Sequence, residues 1–128
     1  IYDLFCGTGS IGLSIAKNCA VKHVYGFEIV SEAVEDARKN AQDNMLADKA
    51  SFFEGDLSSI LSDYKHLPPP DILITDPPRN GMPGQCVADI IRLGASSVIY
   101  VSCNIATQQR DIQLLASLGG YKLKEVHA

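Results

Sequence analysis

The chain has no apolar run close to the roughly 20 residues that a membrane span requires. Its longest apolar stretches, DILIT at 71–75 and SSVIYVS at 96–102, are of strand length. No signal-peptide pattern opens it. No two of its cysteines (Cys6, Cys19, Cys86 and Cys103) form a CxxC pair, which excludes a zinc site or a disulfide-stapled scaffold and leaves no metal expected. That cysteine usage suits a reduced compartment, the cytoplasm. An excess of positive charge is also lacking: 11 Lys and Arg stand against 15 Asp and Glu, for a net charge of −4. A domain of this balance does not grip a phosphate backbone on its own, because such grip needs clustered cations. There is no internal repeat, low-complexity tract or second domain, and a monomer is expected. None of the three histidines (His23, His66 and His127) is placed to serve as base to a cysteine, so a cysteine-protease constellation is excluded.

What is present is an ordinary globular composition, with 46% hydrophobic and 20% charged residues over 128 positions. That length is one domain, able to bury roughly two thirds of its unfolded surface. Residue 1 is Ile and the chain opens inside an apolar run, so an excised piece of a longer protein is expected.

Apolar patterning alternates between the strand and helix periods. Strands are predicted at 1–5, 23–28, 51–55, 71–75, 97–102 and, from the alternation of YKLKEVH, 121–127. Helices are predicted at 10–20, 31–46, 57–64, 84–94 and 107–119, the last ended by Gly119–Gly120. Ser10 and Ser31 are the expected N-caps. The apolar face of the first helix is expected to carry Ile11, Ile15 and Cys19, and that of the second Val34, Ala37 and Ala41. Strict β-α alternation predicts an α/β fold with a doubly wound, mainly parallel sheet and helices on both faces.

Gly7, Gly9 and Gly12 follow the first strand and open the first helix. A tight βα turn alone would explain them. The second strand adds to that, because it ends in Glu28, 19 residues after Gly9. An acidic residue about 20 positions after such a loop bonds the ribose hydroxyls of a nucleoside ligand. A dinucleotide would use the same G-x-G-x-x-G spacing, but Asp3 before the loop would repel a pyrophosphate. A cationic nucleoside suits Asp3, Glu28 and Asp56 better, and S-adenosyl-L-methionine fits that description. Asp3 has a second reading, in which it only fixes the loop by accepting backbone N–H groups.

Two later loops carry chemistry. In TDPPR at 75–79, two prolines stiffen the path after a strand. There Asp76 can accept hydrogen bonds or orient a catalytic group, and Arg79 can bind phosphate or pair with a carboxylate. In VSCN at 101–104, Cys103 lies past a strand end and is followed by Asn104 and a helix start. N–H groups at a helix start favour a thiolate, which makes Cys103 the candidate nucleophile. Cys6, Cys19 and Cys86 are read as buried packing.

Taken together, DLFCGTGSIGLSIA, GFE, ITDPPRNGM and YVSCNIATQQRD resemble the catalytic domain of the RNA uracil-5-methyltransferase family, whose members make 5-methyluridine in tRNA or ribosomal RNA. The resemblance runs nearly the whole length, with the motifs in the family's order. It implies a Rossmann-like fold, S-adenosyl-L-methionine as cofactor, and RNA as the substrate of the full-length protein. It also implies that the Cys103 thiolate adds to carbon 6 of uracil so that carbon 5 takes the methyl group, after the uridine has left its stack. Asp76 would sit between cofactor and base as a catalytic residue that also touches the cofactor. Phe5, Gly7, Gly9, Ser10, Glu28 and Asp56 match cofactor-contacting places, with Ser10 standing where Asn is common. RNA contacts are expected at Arg79 and Asn104. In the family the general base is a Glu after the last strand, here expected beyond Ala128, and the amino-terminal region can hold a β-barrel or an iron–sulfur cluster. A piece of this extent is expected to bind the cofactor weakly without turnover. The residues alone leave open a different methyl acceptor, a nucleotide- or RNA-binding module without chemistry, and, disfavoured by Asp3, an NAD-type oxidoreductase.

Overall fold

The computed structural model describes residues 1–128. Strands and helices alternate without exception: β1 Tyr2–Leu4, α1 Ser10–Asn18, β2 Val24–Glu28, α2 Ser31–Asp43, β3 Ala50–Glu54, α3 Ile60–Asp63, β4 Ile72–Thr75, α4 Gly84–Leu93, β5 Ser97–Tyr100 and α5 Ile105–Gly119. The strands form one sheet in the order β3-β2-β1-β4-β5, and every pairing is parallel. Each strand returns through a helix, as parallel pairing requires. The α/β doubly wound fold expected from the alternation is the one observed. No helix is long and apolar enough to cross a membrane.

Strand side chains alternate between two cores. Val24, Ala50 and Phe52 pack with Leu13 and Ala16 of α1 and Val34, Ala37 and Ala41 of α2. Tyr2, Leu4, Phe27 and Leu73 pack on the opposite face with Ile60 of α3, Cys86, Val87 and Ile90 of α4, and Leu115 of α5. Because both faces are covered, the inner strands read as nearly continuous apolar runs. The face expected for α2, with Val34, Ala37 and Ala41, is the buried one.

Three expectations are corrected. In α1 the buried residues are Gly12, Leu13 and Ala16, not Ile11, Ile15 and Cys19, and Cys19 is exposed. Helix and sheet are closest at Gly12, where a Cβ would lie 2.8 Å from Asp3 Oδ2 and 2.9 Å from Val24 Cγ1, so glycine alone fits there and the face that carries it turns inward with Leu13 and Ala16. Ser10 and Ser31 are first helical residues rather than caps, the N-cap positions being Gly9 and Val30, neither with a side-chain cap bond. Finally, residues 121–127 form no strand. The segment is held through Tyr121, whose hydroxyl donates to the Ala95 carbonyl at 2.8 Å, and its backbone makes no ladder bonds with the outer edge of β5, the last strand of the sheet. Alternation licenses a strand only where a neighbour takes its hydrogen bonds.

Candidate functional site

Strand order reverses at β1. From β1 the chain winds through β2 to β3, then crosses back to place β4 on the other side of β1. In open α/β sheets the crevice beyond the carboxyl ends of the strands at such a reversal is the ligand site. Parallel register brings the loops there together. Leu4 of β1 is level with Phe27 of β2 and with Thr75 of β4, Glu28 is level with Glu54, and Thr75 is level with Tyr100 of β5. Hence the loops carrying Phe5, Gly7 and Gly9, then Glu28, Asp56, Asp76 and Cys103, all leave the same edge of the sheet. Neighbouring strands lie about 4.8 Å apart, so the Asp76 and Cys103 loops rise side by side. The bond from Val101 N–H to the Thr75 carbonyl, 2.9 Å, ties their bases.

The glycine loop turns sharply through three left-handed residues, Phe5 (φ 58°), Gly7 (φ 54°) and Gly9 (φ 80°). Phe5 is a non-glycine residue in this region, where an L side chain is disfavoured, and its ring packs on the core that holds Leu4 and Phe27. At Gly9 a Cβ would lie 2.8 Å from the Phe52 ring, so the loop needs glycine both for its φ and for its seat on β3. At Gly7 a Cβ would meet nothing within 4 Å. There the backbone faces open space, room in which a ligand can approach it. Ser10 is exposed at the start of α1.

Glu28 ties the second strand's end to this loop. One carboxylate oxygen accepts the Gly7 N–H at 2.9 Å. The other accepts the N–H groups of Ile29 at 2.8 Å and Val30 at 3.0 Å. A carboxylate offers roughly four acceptor sites, so one remains open. Asp3 takes the second of the two roles read from the sequence. It is 1% exposed, and its Oδ2 accepts the Gly12 N–H at 3.0 Å. Burial pushes its pKa up to about 6, the Gly12 N–H opposes that rise, and the negative charge of Asp76 adds to it. Asp56 is exposed beyond β3. Its Oδ1 accepts the Ser58 N–H at 2.8 Å, and bonds from Ser58, the backbone first, hold its carboxyl below the ordinary range.

Asp76 and Arg79 are exposed on the proline loop. Cys103 is exposed at the tip of a tight turn. The Ser102 hydroxyl clamps that turn by accepting the Asn104 N–H and donating to the Asn104 carbonyl, each at 2.9 Å. Asn104 is the N-cap of α5, its Oδ1 accepting the Ala106 N–H at 3.1 Å, while its Nδ2 donates to the Arg79 carbonyl at 2.9 Å. The other two thiols near the sheet are unlike Cys103. Burial, with nearby carboxylates adding to it, pushes Cys6 and Cys86 each up to about 12, so both are neutral packing groups.

Ser102, Thr107, Arg110 and Asp111 were not legible as site residues. A signal existed for the last of them. Asn104, Thr107 and Asp111 recur at helical spacing on the face that continues to buried Leu115, where an amphipathic helix would carry apolar residues.

Comparison with known proteins agrees with this architecture. A family profile described as a methyltransferase domain matches residues 1–124. A protein of Enterococcus faecalis named an uncharacterized RNA methyltransferase is 42% identical over 127 residues, covering 98% of this chain and 27% of the relative. The chain thus spans about a quarter of that protein's length. The solved structure of a Pyrococcus abyssi tRNA (uracil-54, C5)-methyltransferase in complex with S-adenosyl-L-homocysteine superposes with a TM-score of 0.74 at 30% identity, over 88% of this chain and 26% of that one. A precorrin-6y C5,15-methyltransferase of Geobacter metallireducens reaches a TM-score of 0.76 at 18% identity, over 94% of this chain and 62% of that one, a likeness of fold alone.

Proposed function

This chain belongs to the methyltransferase-domain family, and from that premise we propose that residues 1–128 lie in the catalytic domain of an RNA methyltransferase that acts on carbon 5 of uridine. The observation that carries the reading is the meeting of four groups at one sheet edge: the glycine loop, Glu28, Asp76 and the exposed Cys103. The likeness to the Pyrococcus abyssi enzyme supports the substrate class.

The cofactor of this reading is S-adenosyl-L-methionine, and the residues fit it. Gly7 leaves an open backbone surface, Glu28 keeps an acceptor free, and Asp76 and Glu28 give the crevice the negative charge that a sulfonium favours. When bound, the cofactor supplies an electrophilic methyl group to the activated carbon 5.

The protein's own groups do the rest. The Ser102 clamp holds the Cys103 turn in one shape, so the thiolate is aimed before substrate arrives. Its addition to carbon 6 of uracil forms a carbon–sulfur bond and gives carbon 5 enolate character. A general base then takes the carbon-5 proton, and elimination frees Cys103. Asp76 lies next to both loops and orients the uracil ring. Arg79, exposed beside it, meets a phosphate of the RNA, whether tRNA or ribosomal RNA, and Asn104 fixes the nucleotide's approach through the turn it caps.

The test is covalent trapping on the full-length protein. RNA with 5-fluorouridine at the target gives a stable adduct, since fluorine at carbon 5 cannot leave as a proton does. We expect the adduct with wild type and none with Cys103→Ala, which still binds S-adenosyl-L-methionine. An active methyltransferase that forms no adduct refutes the uracil reading.

A further inference from the structure

The proline loop is held in place by the helix that carries the cysteine turn. The Thr107 hydroxyl shares its proton between the Arg79 carbonyl at 3.1 Å and the Asn104 carbonyl at 3.2 Å, and Asn104 Nδ2 donates to the same Arg79 oxygen. Arg110 Nη2 donates to the carbonyls of Asn80 at 3.3 Å and Met82 at 3.4 Å. The Met82 N–H donates back to Asp111 Oδ2 at 2.9 Å. Residues 79–82 are therefore gripped through their backbone, much as a ligand would be.

The grip is built around a fully buried charge. Asp111 is 0% exposed, a placement that is costly unless every lone pair is used. Here they are used. Oδ2 also accepts the Tyr100 hydroxyl at 2.6 Å, and Oδ1 accepts Arg110 Nε at 2.9 Å and Nη2 at 2.7 Å. The loop shows the reciprocal fit. Gly81 has φ +79°, and a Cβ there would run into the Arg110 guanidinium and lie 2.8 Å from Asp111 Oδ2. Met82 is buried below, its sulfur accepting the Thr75 hydroxyl at 3.4 Å.

Each loop has bonds of its own, Asp76 N–H to the Leu4 carbonyl at 3.4 Å and Gly81 N–H to the Pro78 carbonyl at 2.8 Å in one and the Ser102 clamp in the other, but these do not fix one loop against the other. Above the bond from Val101 to Thr75 no ladder joins them, because β4 and β5 have ended. We infer that Thr107, Arg110 and Asp111 of α5, with Tyr100 of β5, are positioning residues that set the Asp76 loop in register with the Cys103 turn, so that the group orienting the ring and the nucleophile keep one spacing. The inference rests on the uracil reading above. Its chemistry is unchanged by the latch, whose contribution is geometric and falls on the covalent step rather than on cofactor binding.

Thr107→Val in the full-length protein is the discriminating variant. It keeps shape, removes only the hydroxyl and leaves the buried charge satisfied. We expect adduct formation on 5-fluorouridine RNA at saturating S-adenosyl-L-methionine to slow by about tenfold or more, the scale on which small misplacements of reacting groups act. Cofactor affinity by calorimetry is expected to stay within about twofold of wild type, and Thr107→Ser is expected to restore the rate, a split that general loosening does not give. Tyr100→Phe, which frees one acceptor of Asp111, is expected to slow the same step. Wild-type rates in Thr107→Val and Tyr100→Phe overturn the inference while leaving the uracil reading intact, as does a loss of cofactor affinity in step with the rate. No adduct with wild type itself overturns both.

Discussion

Asp3 gives the sharpest physical test of the site's construction. It sits mid-strand in β1, level with Gly26 and Ile74 on the flanking strands, and is 1% exposed. One 3.0 Å bond from the Gly12 N–H is the bond that compensates its charge, so burial raises its pKa from 3.8 to about 6. The sign follows directly. The folded chain holds this proton more tightly than the unfolded chain does. Below the unfolded pKa of 3.8 both states are protonated and the contribution to stability is complete; as pH rises through about 6 it is lost. A shift of about two units is worth roughly 3 kcal/mol. Asp3→Asn keeps an oxygen for the Gly12 N–H and never ionises. We therefore expect Asp3→Asn to gain on wild type by roughly 2–3 kcal/mol as pH rises from about 4 to about 7.5. Urea midpoints of both proteins across that range measure it. Asp76→Asn removes the neighbouring charge that helps to raise Asp3, and should narrow the window from its upper end. A stability difference that is flat with pH, or that grows in favour of wild type, refutes the account.

Other outcomes follow from the same contacts. Glu28→Gln replaces one acceptor oxygen by a donor, so either the Gly7 N–H or the Ile29 and Val30 pair faces another N–H. Leaving such a group unsatisfied costs about 1–3 kcal/mol, and calorimetry should show S-adenosyl-L-methionine affinity falling by about tenfold or more. Gly81→Ala forces a side chain into Arg110 and Asp111 at a left-handed φ. Its melting temperature should drop, and amide exchange should quicken at Asn80–Met82 before it does in the sheet. Thiol labelling at about pH 8, below the raised pKa values of about 12 at Cys6 and Cys86, should modify exposed Cys19 and Cys103 quickly and the buried pair only on unfolding. Phe27→Ala empties a fully buried ring site at the centre of the larger core and should cost about 3–5 kcal/mol in urea unfolding.

Much of the fold was legible because each element's pattern has a single geometric cause. Val34, Ala37 and Ala41 recur at the helical period, so only one face of α2 can meet the sheet. The strands at the centre are apolar on both sides because helices cover both. The failures have causes too. Hydrophobic spacing points to the wrong face of α1, because the close approach of Asp3 and Val24 admits only glycine at position 12 and so turns that face inward. Residues 121–127 alternate as a strand does, but alternation names no partner, and the segment pairs with no strand, the open edge of β5 included. At the sheet edge, the alternation of elements was enough to bring Glu28 and Cys103 to the same side, since parallel strands send successive loops to one edge. Residue types and spacing could not show that Glu28 spends three of its acceptor sites on backbone. Nor could they show that an Arg and an Asp in adjacent helical positions face a loop some thirty residues earlier. Those contacts are long-range, and composition or periodicity does not encode a partner.

The charges at the sheet edge divide the proposed work between two kinds of ligand. Glu28, Asp56 and Asp76 stand at or just beyond the strand ends, and Arg79 is exposed on the proline loop beside them, while Arg110 is paired with buried Asp111. The combined field of Glu28, Asp56 and Asp76 favours a small cation in the crevice and opposes a polyanion there. On the proposed uracil reading, a nucleotide reaching Cys103 enters base first, with its phosphate kept outward toward Arg79. The neutral uracil ring can cross that field at little electrostatic expense, whereas its backbone cannot. This separation makes a distinct demand on salt dependence. Affinity for S-adenosyl-L-methionine should weaken as salt screens the carboxylates, and replacing Arg79 with Ala should leave that dependence unchanged. The same replacement should reduce the salt slope of RNA binding by the full-length protein by about one, the loss of a single phosphate contact. If Arg79→Ala alters cofactor affinity and leaves the RNA slope as it was, the outward phosphate path is wrong, and the arginine belongs to the crevice instead.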